Sequence, residues 1–508
     1  MIPHHPYIRI LFRNQNTYPS THTTTKHNMR KTKTYDSRDD NTTLLAQQLL
    51  NPNINNDYNK QINASGRSYE ASPLMNNEIR MLREDNNGDS NEASQGTLIS
   101  STFMIFNTAV GTGILTLPYA FRTAGLYGGM LLLLFYVLIE VGCIYSIIIA
   151  SERSQQKIYS GVVKSYFGER FGFIFAIVIA VYCFFTCAGG FIIVKNVISP
   201  ILLLETNDKT LWWNSQYMQV FIAGIIVLPF LLLRHITSLR FTAQLSFYCI
   251  IFVVSVVVTE YYLRPSTDFK DSILGPLDKF GEFPSFILAI PNIFLSLQSH
   301  VNIPSIYAEM KPSIRSANNM LLAAVLAYTL VFILYSLIGV YGVMTFRRLT
   351  LPNILECAYD PSKITIIVAR ICLAITGLFS IPVNHHPSRE ATWQIISGGK
   401  SSDKMTKSFL VTATIVFFML AMGLAVFINE LSTLNDLRGM TIGVIIIFIL
   451  PGFFLLHESK CSIVGMIYVL VGILSFLVSA YSFVGTKFYD LTPMEIPKYI
   501  PTSGNITR

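Results

Sequence analysis

Two short stretches combine residue types that an ordinary apolar helix avoids. The first runs Asn107-Thr108-Ala109-Val110-Gly111-Thr112-Gly113-Ile114-Leu115-Thr116-Leu117-Pro118. The second runs Ala289-Ile290-Pro291-Asn292-Ile293-Phe294-Leu295-Ser296-Leu297-Gln298-Ser299-His300-Val301-Asn302-Ile303-Pro304. Glycine weakens helical order and proline removes an N–H donor, so both stretches predict interrupted helices. Both sit inside long apolar runs, where unpaired peptide groups are costly unless they line a cavity. The chemistry on offer is therefore binding. Freed N–H groups at the positive end of a half-helix can hold an anion, and freed carbonyls, amides and hydroxyls can hold a cation. Taken alone, Gly111-x-Gly113 has a plainer alternative, a close-packing face between helices. No HExxH, no Gly-x-Ser-x-Gly and no paired carboxylates occur within the apolar runs, so the sequence does not read as an enzyme.

The elements that must position these stretches follow from composition. The 508 residues are 51% hydrophobic and 13% charged, with a mean hydropathy of +0.46. Soluble domains carry about 25% charged residues. Residues 1–96 hold 11 Lys/Arg and 10 Asp/Glu, which leaves 27 and 20 for the remaining 412 residues. That long part cannot present a wetted surface and reads as an integral membrane domain. Apolar runs long enough to cross about 30 Å of hydrocarbon lie near 100–121, 125–150, 172–203, 217–233, 241–263, 284–307, 319–346, 363–387, 408–428, 439–456 and 462–485. Period-two alternation is absent, so eleven helices are expected, and the protein is all-α and polytopic. If ten of them form two repeats of five, the interrupted runs occupy matching positions, first and sixth. Such a pair points to a transporter binding site near the bilayer midplane. Between the second and third runs, Ile158, Val162, Val163, Tyr166 and Phe167 recur at helical spacing beside Lys157, Lys164 and Arg170. They predict a short helix lying along the membrane surface.

Residues 1–96 contain 15 Asn and few clustered apolar residues, and are expected to form a disordered cytoplasmic tail. The membrane domain follows at 97–485, with a short C-terminal tail at 486–508. A small Lys/Arg excess on the loops sharing the tail's side favours that orientation. Asp40-Asn41-Thr42-Thr43-Leu44-Leu45 resembles an acidic dileucine sorting pattern, leaving a plasma-membrane or a vacuolar/lysosomal location open. The net charge of +8 is spread thinly with no basic–aromatic cluster, so no nucleic-acid partner is expected. The seven cysteines show no metal-type spacing, and protein partners cannot be read from the chain.

The motifs also resemble a known family. Asn107-x-x-x-Gly-Thr-Gly-Ile-Leu-x-Leu-Pro followed by Gly125 is similar to the first helix of the amino acid/auxin permease family. Phe294 through Met310, with Ser299-His300 and Pro304-x-Ile306-Tyr307-x-Glu309, resembles its sixth helix. Leu228-Pro229-Phe230, Tyr335 through Phe346, Pro382 with Pro387-x-Arg389, and Leu450-Pro451 give supporting matches. The likeness covers about 97–485 and is nearest the sodium-coupled neutral amino acid branch. Departures are Ser299-His300-Val301-Asn302, where that branch usually has Cys-His-Pro-Glu, and the charged Glu140 and Lys195.

The resemblance implies inverted five-helix repeats with discontinuous helices 1 and 6, plus an eleventh helix. It implies a secondary active transporter of amino acids, neutral ones foremost, working by alternating access on a sodium or proton gradient. A membrane amino-acid sensor signalling through its tail is the alternative. An amino acid is a zwitterion, and both its charges must be matched. Thr108, Gly111, Thr112 and Gly113 are expected on the carboxylate side, facing Leu295, Ser296 and Ser299, with Tyr182 closing over the substrate or simply packing. The resemblance maps a sodium ligand onto Asn107, partnered by Ser380 or Thr376; an interhelical hydrogen bond is the plainer role for Asn107. No cofactor or other metal is expected. His300 is either a proton-coupling group or a neutral hydrogen-bonding one. Lys195 is expected to snorkel or to pair with Glu140. Arg370 must face protein, water or headgroups, and His385 and His386 read as interfacial.

Overall fold

The computed structural model describes residues 96–206, 211–263, 278–357, 359, 362–399, 404–428, 442–458 and 462–488. Residues 1–95, with the pattern at 40–45, and residues 489–508 lie outside the described residues.

Among the described residues, eight helices are long and apolar enough to cross a membrane, and three shorter apolar helices bring the candidate spans to the eleven expected. The first span is α1 (Leu98–Ala109), a 3-10 turn at Thr112–Leu115, and α2 (Leu117–Ala124). The second is α3 (Leu126–Ser154), followed by the short α4 (Tyr159–Phe167). Then come α5 (Glu169–Thr206), α6 (Gln216–Leu231) and α7 (Arg240–Leu263). The sixth span is α8 (Phe283–Ser296), a 3-10 turn at His300–Asn302, and α9 (Ile303–Ala308). α10 (Ala317–Phe346), α11 (Ile364–Ile396) and α12 (Lys407–Phe427) follow. A π turn at Ile445–Ile449 leads into α13 (Leu450–Glu458), and α14 (Ile463–Phe488) completes the set.

Local chemistry explains where these helices start and stop. Thr97 and Ser100 cap α1 reciprocally: the Ser100 N–H donates to Thr97 Oγ1 at 3.2 Å and the Thr97 N–H to Ser100 Oγ at 2.8 Å. Pro118 and Pro304 each occupy the second position of the helix that resumes after a break. Proline is at home in a first turn, but it has no N–H with which to continue the preceding helix. Pro291 interrupts nothing and lies within α8; the sixth span breaks instead at its polar residues and at Pro304.

One large core joins the broken spans to α3, α7, α10 and α11. A smaller one lies among α5, α6, α11 and α12, built from Phe191, Ile192, Val227, Ile381 and Phe418. Outside these cores, Leu131, Leu138, Ile225, Leu420 and Leu470 stand exposed. An apolar exterior of this extent suits lipid and not water.

Three expectations need correction. The eighth span does not end at 387: α11 continues to Ile396 through Pro382 and Pro387. The helix is packed along α5 through this stretch, where Cys187 Sγ lies 3.5 Å from the Ile381 carbonyl, and within α11 Asn384 Nδ2 donates to the Ser380 carbonyl at 2.9 Å. His385 and His386 are therefore buried, with Nε2 atoms 3.1 Å from Thr414 Oγ1 and from the Arg234 carbonyl respectively. α4 does form, but its apolar side is held by protein and not by lipid. Tyr159, Val162 and Val163 are buried, Tyr159 donates to the Ile446 carbonyl at 2.9 Å, and Tyr166 and Phe167 pack on Phe454.

Candidate substrate and ion site

The two broken spans are held against each other at three levels. At one face, the Gly96 N–H donates to the Glu309 carbonyl at 3.1 Å and the Lys311 N–H to the Gly96 carbonyl at 2.9 Å. At the other, the Gly281 N–H donates to the Ala124 carbonyl at 2.8 Å, Leu126 N–H to Asp278 at 3.0 Å, and Tyr127 N–H to Lys279 at 2.9 Å. Between them Gly113 lies directly against Ser296, so close that a Cβ on Gly113 would overlap the Ser296 Cα, Cβ and Oγ. Gly111 is different: a Cβ there meets nothing within 4 Å. One glycine closes the contact between the breaks, and the other borders open space.

Two tyrosines of α10 serve the peptide groups that the breaks release. Tyr335 Oη lies 2.9 Å from the Ser296 carbonyl and 3.3 Å from the Ala109 carbonyl, the last residues of α8 and α1. One hydroxyl thus spans both interruptions. Two turns earlier, Tyr328 Oη bonds the Leu297 carbonyl at 2.5 Å and lies 3.0 Å from Ser299 Oγ and 3.3 Å from Glu140 Oε2.

The remaining expected site residues distribute as follows. Thr108 is buried and donates to Met104 within its own helix at 2.8 Å. Thr112 opens the 3-10 turn, and its side chain lies outside the described residues. Ser296 donates to Asn292 of its own helix, and Leu295 is half-buried beside the main core. Tyr182 is buried in the main core on α5, a helix that packs on the 112–115 turn. Asn107 is fully buried, and neither its Oδ1 nor its Nδ2 has a hydrogen-bond partner. α11 packs against both α1 and the His300–Asn302 turn. On it, Thr376 Oγ1 donates to Cys372 at 3.0 Å and Ser380 Oγ to Gly377 at 2.8 Å, which leaves both oxygens lone pairs to offer. His300 and Asn302 are fully buried with unpartnered side-chain atoms.

The intramembrane charges do not pair as expected. Lys195 reaches α12, where Nζ donates to the Ala425 carbonyl at 2.9 Å and the Ile428 carbonyl at 3.3 Å, capping a helix C-terminus. Glu140 meets Tyr328 instead. The long helix α5 carries Lys195 beside α12, which no periodicity in either segment could have shown. Arg370 donates to the Leu355 carbonyl and Arg122 to the Thr350 carbonyl, so two arginines hold the 347–357 loop.

A family model described as transmembrane amino acid transporter protein matches residues 94–487, from before α1 to the last turn of α14. The chain belongs to that family. Among the family's curated members, vacuolar amino acid transporter 5 of Schizosaccharomyces pombe is 26% identical over 355 residues, covering 70% of this chain and 82% of that protein. Sodium-coupled neutral amino acid transporter 7 is 24% identical in both Rattus norvegicus and Homo sapiens, over 423 and 422 residues, covering 80% of this chain and 89% of theirs. As a member of the family, the chain is an all-α, multi-pass membrane protein.

Within this family member, sequence reasoning assigned no role to several residues. Tyr328 and Tyr335 stand seven apart on one face of an apolar helix, which is a usable signal: two hydroxyls in lipid need partners. Glu309 appeared only within a motif. Its Oε2 accepts from the Thr237 N–H at 2.7 Å and its Oε1 from the Ile236 N–H at 3.2 Å, with His235 Nδ1 at 3.5 Å. It ties the end of α9 to the turn before α7. Burial pushes this carboxyl up, yet His235, the neighbouring His386 and Thr237 outweigh burial and hold it below the usual glutamate range.

Proposed function

We propose that this chain carries neutral amino acids across its membrane by alternating access, with a sodium or proton gradient as the driving force. The observation that carries the reading is the paired interruption: both spans lose their helix, touch at Gly113 and Ser296, and leave room beside Gly111. Peptide groups released there match the two charges of a zwitterion, with N–H groups of the 112–114 turn for the carboxylate and carbonyls near Leu295 and Ser296 for the ammonium; the Gly111 N–H itself donates to the Ala109 carbonyl. Thr108, Thr112, Ser299 and Tyr182 stand on the elements around that space.

A sodium ion travelling with the substrate needs hard oxygen donors. Asn107, whose buried amide lacks a partner, and the Ser380 and Thr376 hydroxyls of the adjoining α11 supply that donor type. Relatives named sodium-coupled support this assignment, and one named vacuolar supports an internal membrane as much as the plasma membrane. One charge crossing about 100 mV is worth about 2.3 kcal/mol, sufficient for roughly fifty-fold accumulation. A single coupled cation is enough.

The test is counterflow of the twenty amino acids by the full chain in proteoliposomes, with sodium and pH varied. Exchange of small neutral amino acids is expected, and Asn107→Ala should remove any sodium dependence while exchange without sodium remains. If no amino acid exchanges under any ionic condition, the reading fails.

A further inference from the structure

Glu140 is the middle residue of α3, fully buried, with no ion pair to any cationic side chain among the described residues. Its Oε1 has no hydrogen-bond partner, and its Oε2 has Tyr328. A bare carboxylate in that setting is expensive, and an ionisable side chain at mid-membrane calls for a function.

Hydrogen counting sharpens the point. The Tyr328 hydroxyl has one proton to give and three oxygens around it. The Leu297 carbonyl can only accept, and at 2.5 Å it is the nearest. Ser299 Oγ, at 3.0 Å, can donate to Tyr328. With the tyrosine proton committed to Leu297, the 3.3 Å contact to Glu140 is a hydrogen bond only if the carboxyl supplies the proton. When the carboxyl loses it, the tyrosine proton is drawn to Glu140, and the Leu297 carbonyl, the first peptide group of the break in the sixth span, is left bare.

We propose that Glu140 is the site that takes up and releases a coupling proton, with Tyr328 passing its state to the break in the sixth span. This rests on the carrier reading given above. The titratable groups facing Glu140 are Tyr136 and Cys143 on its own helix, Tyr328 and Tyr335 on α10, and His300, whose ring lies toward the Glu140 backbone. The π turn packed on α3 brings only Ile and Phe. Water is kept out on one side by Tyr136, which packs with Phe294 and Phe448.

The test uses the full chain in proteoliposomes with each neutral amino acid active in wild-type counterflow. An inwardly acidic-to-neutral gradient should drive accumulation by wild type. Glu140→Gln should lose that accumulation while exchange persists, and Tyr328→Phe should lower the accumulation ratio without abolishing exchange. Undiminished pH-driven accumulation by Glu140→Gln overturns the proposal. So does a wild type that exchanges amino acids yet ignores the pH gradient, a result that leaves the carrier reading standing. Absence of any wild-type exchange is the distinct failure of that reading, and it removes the proposal with it. Should Glu140→Gln not fold, dicyclohexylcarbodiimide decides on wild type, since it adds to protonated carboxyls in apolar surroundings. Labelling of Glu140 that fades at alkaline pH supports the proposal, and an unlabelled Glu140 across the pH range overturns it.

Discussion

Gly113→Ala adds one methyl group at the narrowest point between the two broken spans. Its Cβ would stand 2.5 Å from the Ser296 Cα, whereas carbon atoms rest about 3.5–4.0 Å apart. The neighbour is backbone and cannot swing aside, so α8 or the 112–115 turn must shift by about 1 Å. Overpacking of this kind costs about 1–3 kcal/mol, equivalent to a roughly 5- to 150-fold change in a conformational equilibrium. Gly111→Ala is the matched control, because its added methyl touches nothing within 4 Å. Thermal unfolding in detergent and counterflow kinetics in proteoliposomes separate the two. Gly113→Ala should unfold at lower temperature and exchange more slowly. Gly111→Ala should unfold like wild type but bind substrate more weakly, since it fills the room beside the break. Equal stability of wild type and Gly113→Ala, or a greater stability loss in Gly111→Ala, would refute the geometry.

Three further outcomes are expected. Lys195→Met should destabilise by about 1–3 kcal/mol, because the Ala425 and Ile428 carbonyls lose their donor, and a denaturation midpoint checks it. Glu309 has its carboxyl pKa lowered on folding, so its contribution is present above the unfolded value of about 4.3 and lost as pH falls through the folded value. The gap in unfolding midpoint between wild type and Glu309→Gln should therefore be level at neutral pH and narrow on acidification. A gap that widens in acid contradicts the assignment. Deleting residues 1–90 should leave counterflow intact, whereas on the sensor reading the same deletion abolishes capture of a signalling partner.

The helical fold and both interruptions were legible because glycine, proline and polar residues inside apolar runs are chemically conspicuous. The ends of spans were less so. Pro382 and Pro387 looked like a terminus, yet α11 continues past them to Ile396, packed along α5, a tertiary placement that the segment itself does not show. Pro291 misled in the other direction. Of the expected site residues, Gly113 and Ser296 do meet, and Ser299 joins Tyr328 and Glu140. Thr108 and Ser296 spend their hydroxyl protons within their own helices. Lys195 and Glu140 lie in different clusters because the crossing of α5 over α12 is a property of the bundle and not of either segment.

The straps at Gly96 and at 278–281 have a mechanical corollary. Neither broken span is free to tilt by itself, since each end of one is laced to an end of the other. Under alternating access the pair would therefore move as a double-ended rocker, with its fulcrum where Gly113 bears on Ser296. Swinging one end away from its surroundings presses the other end in, so a continuous leak would require tearing the lacing first.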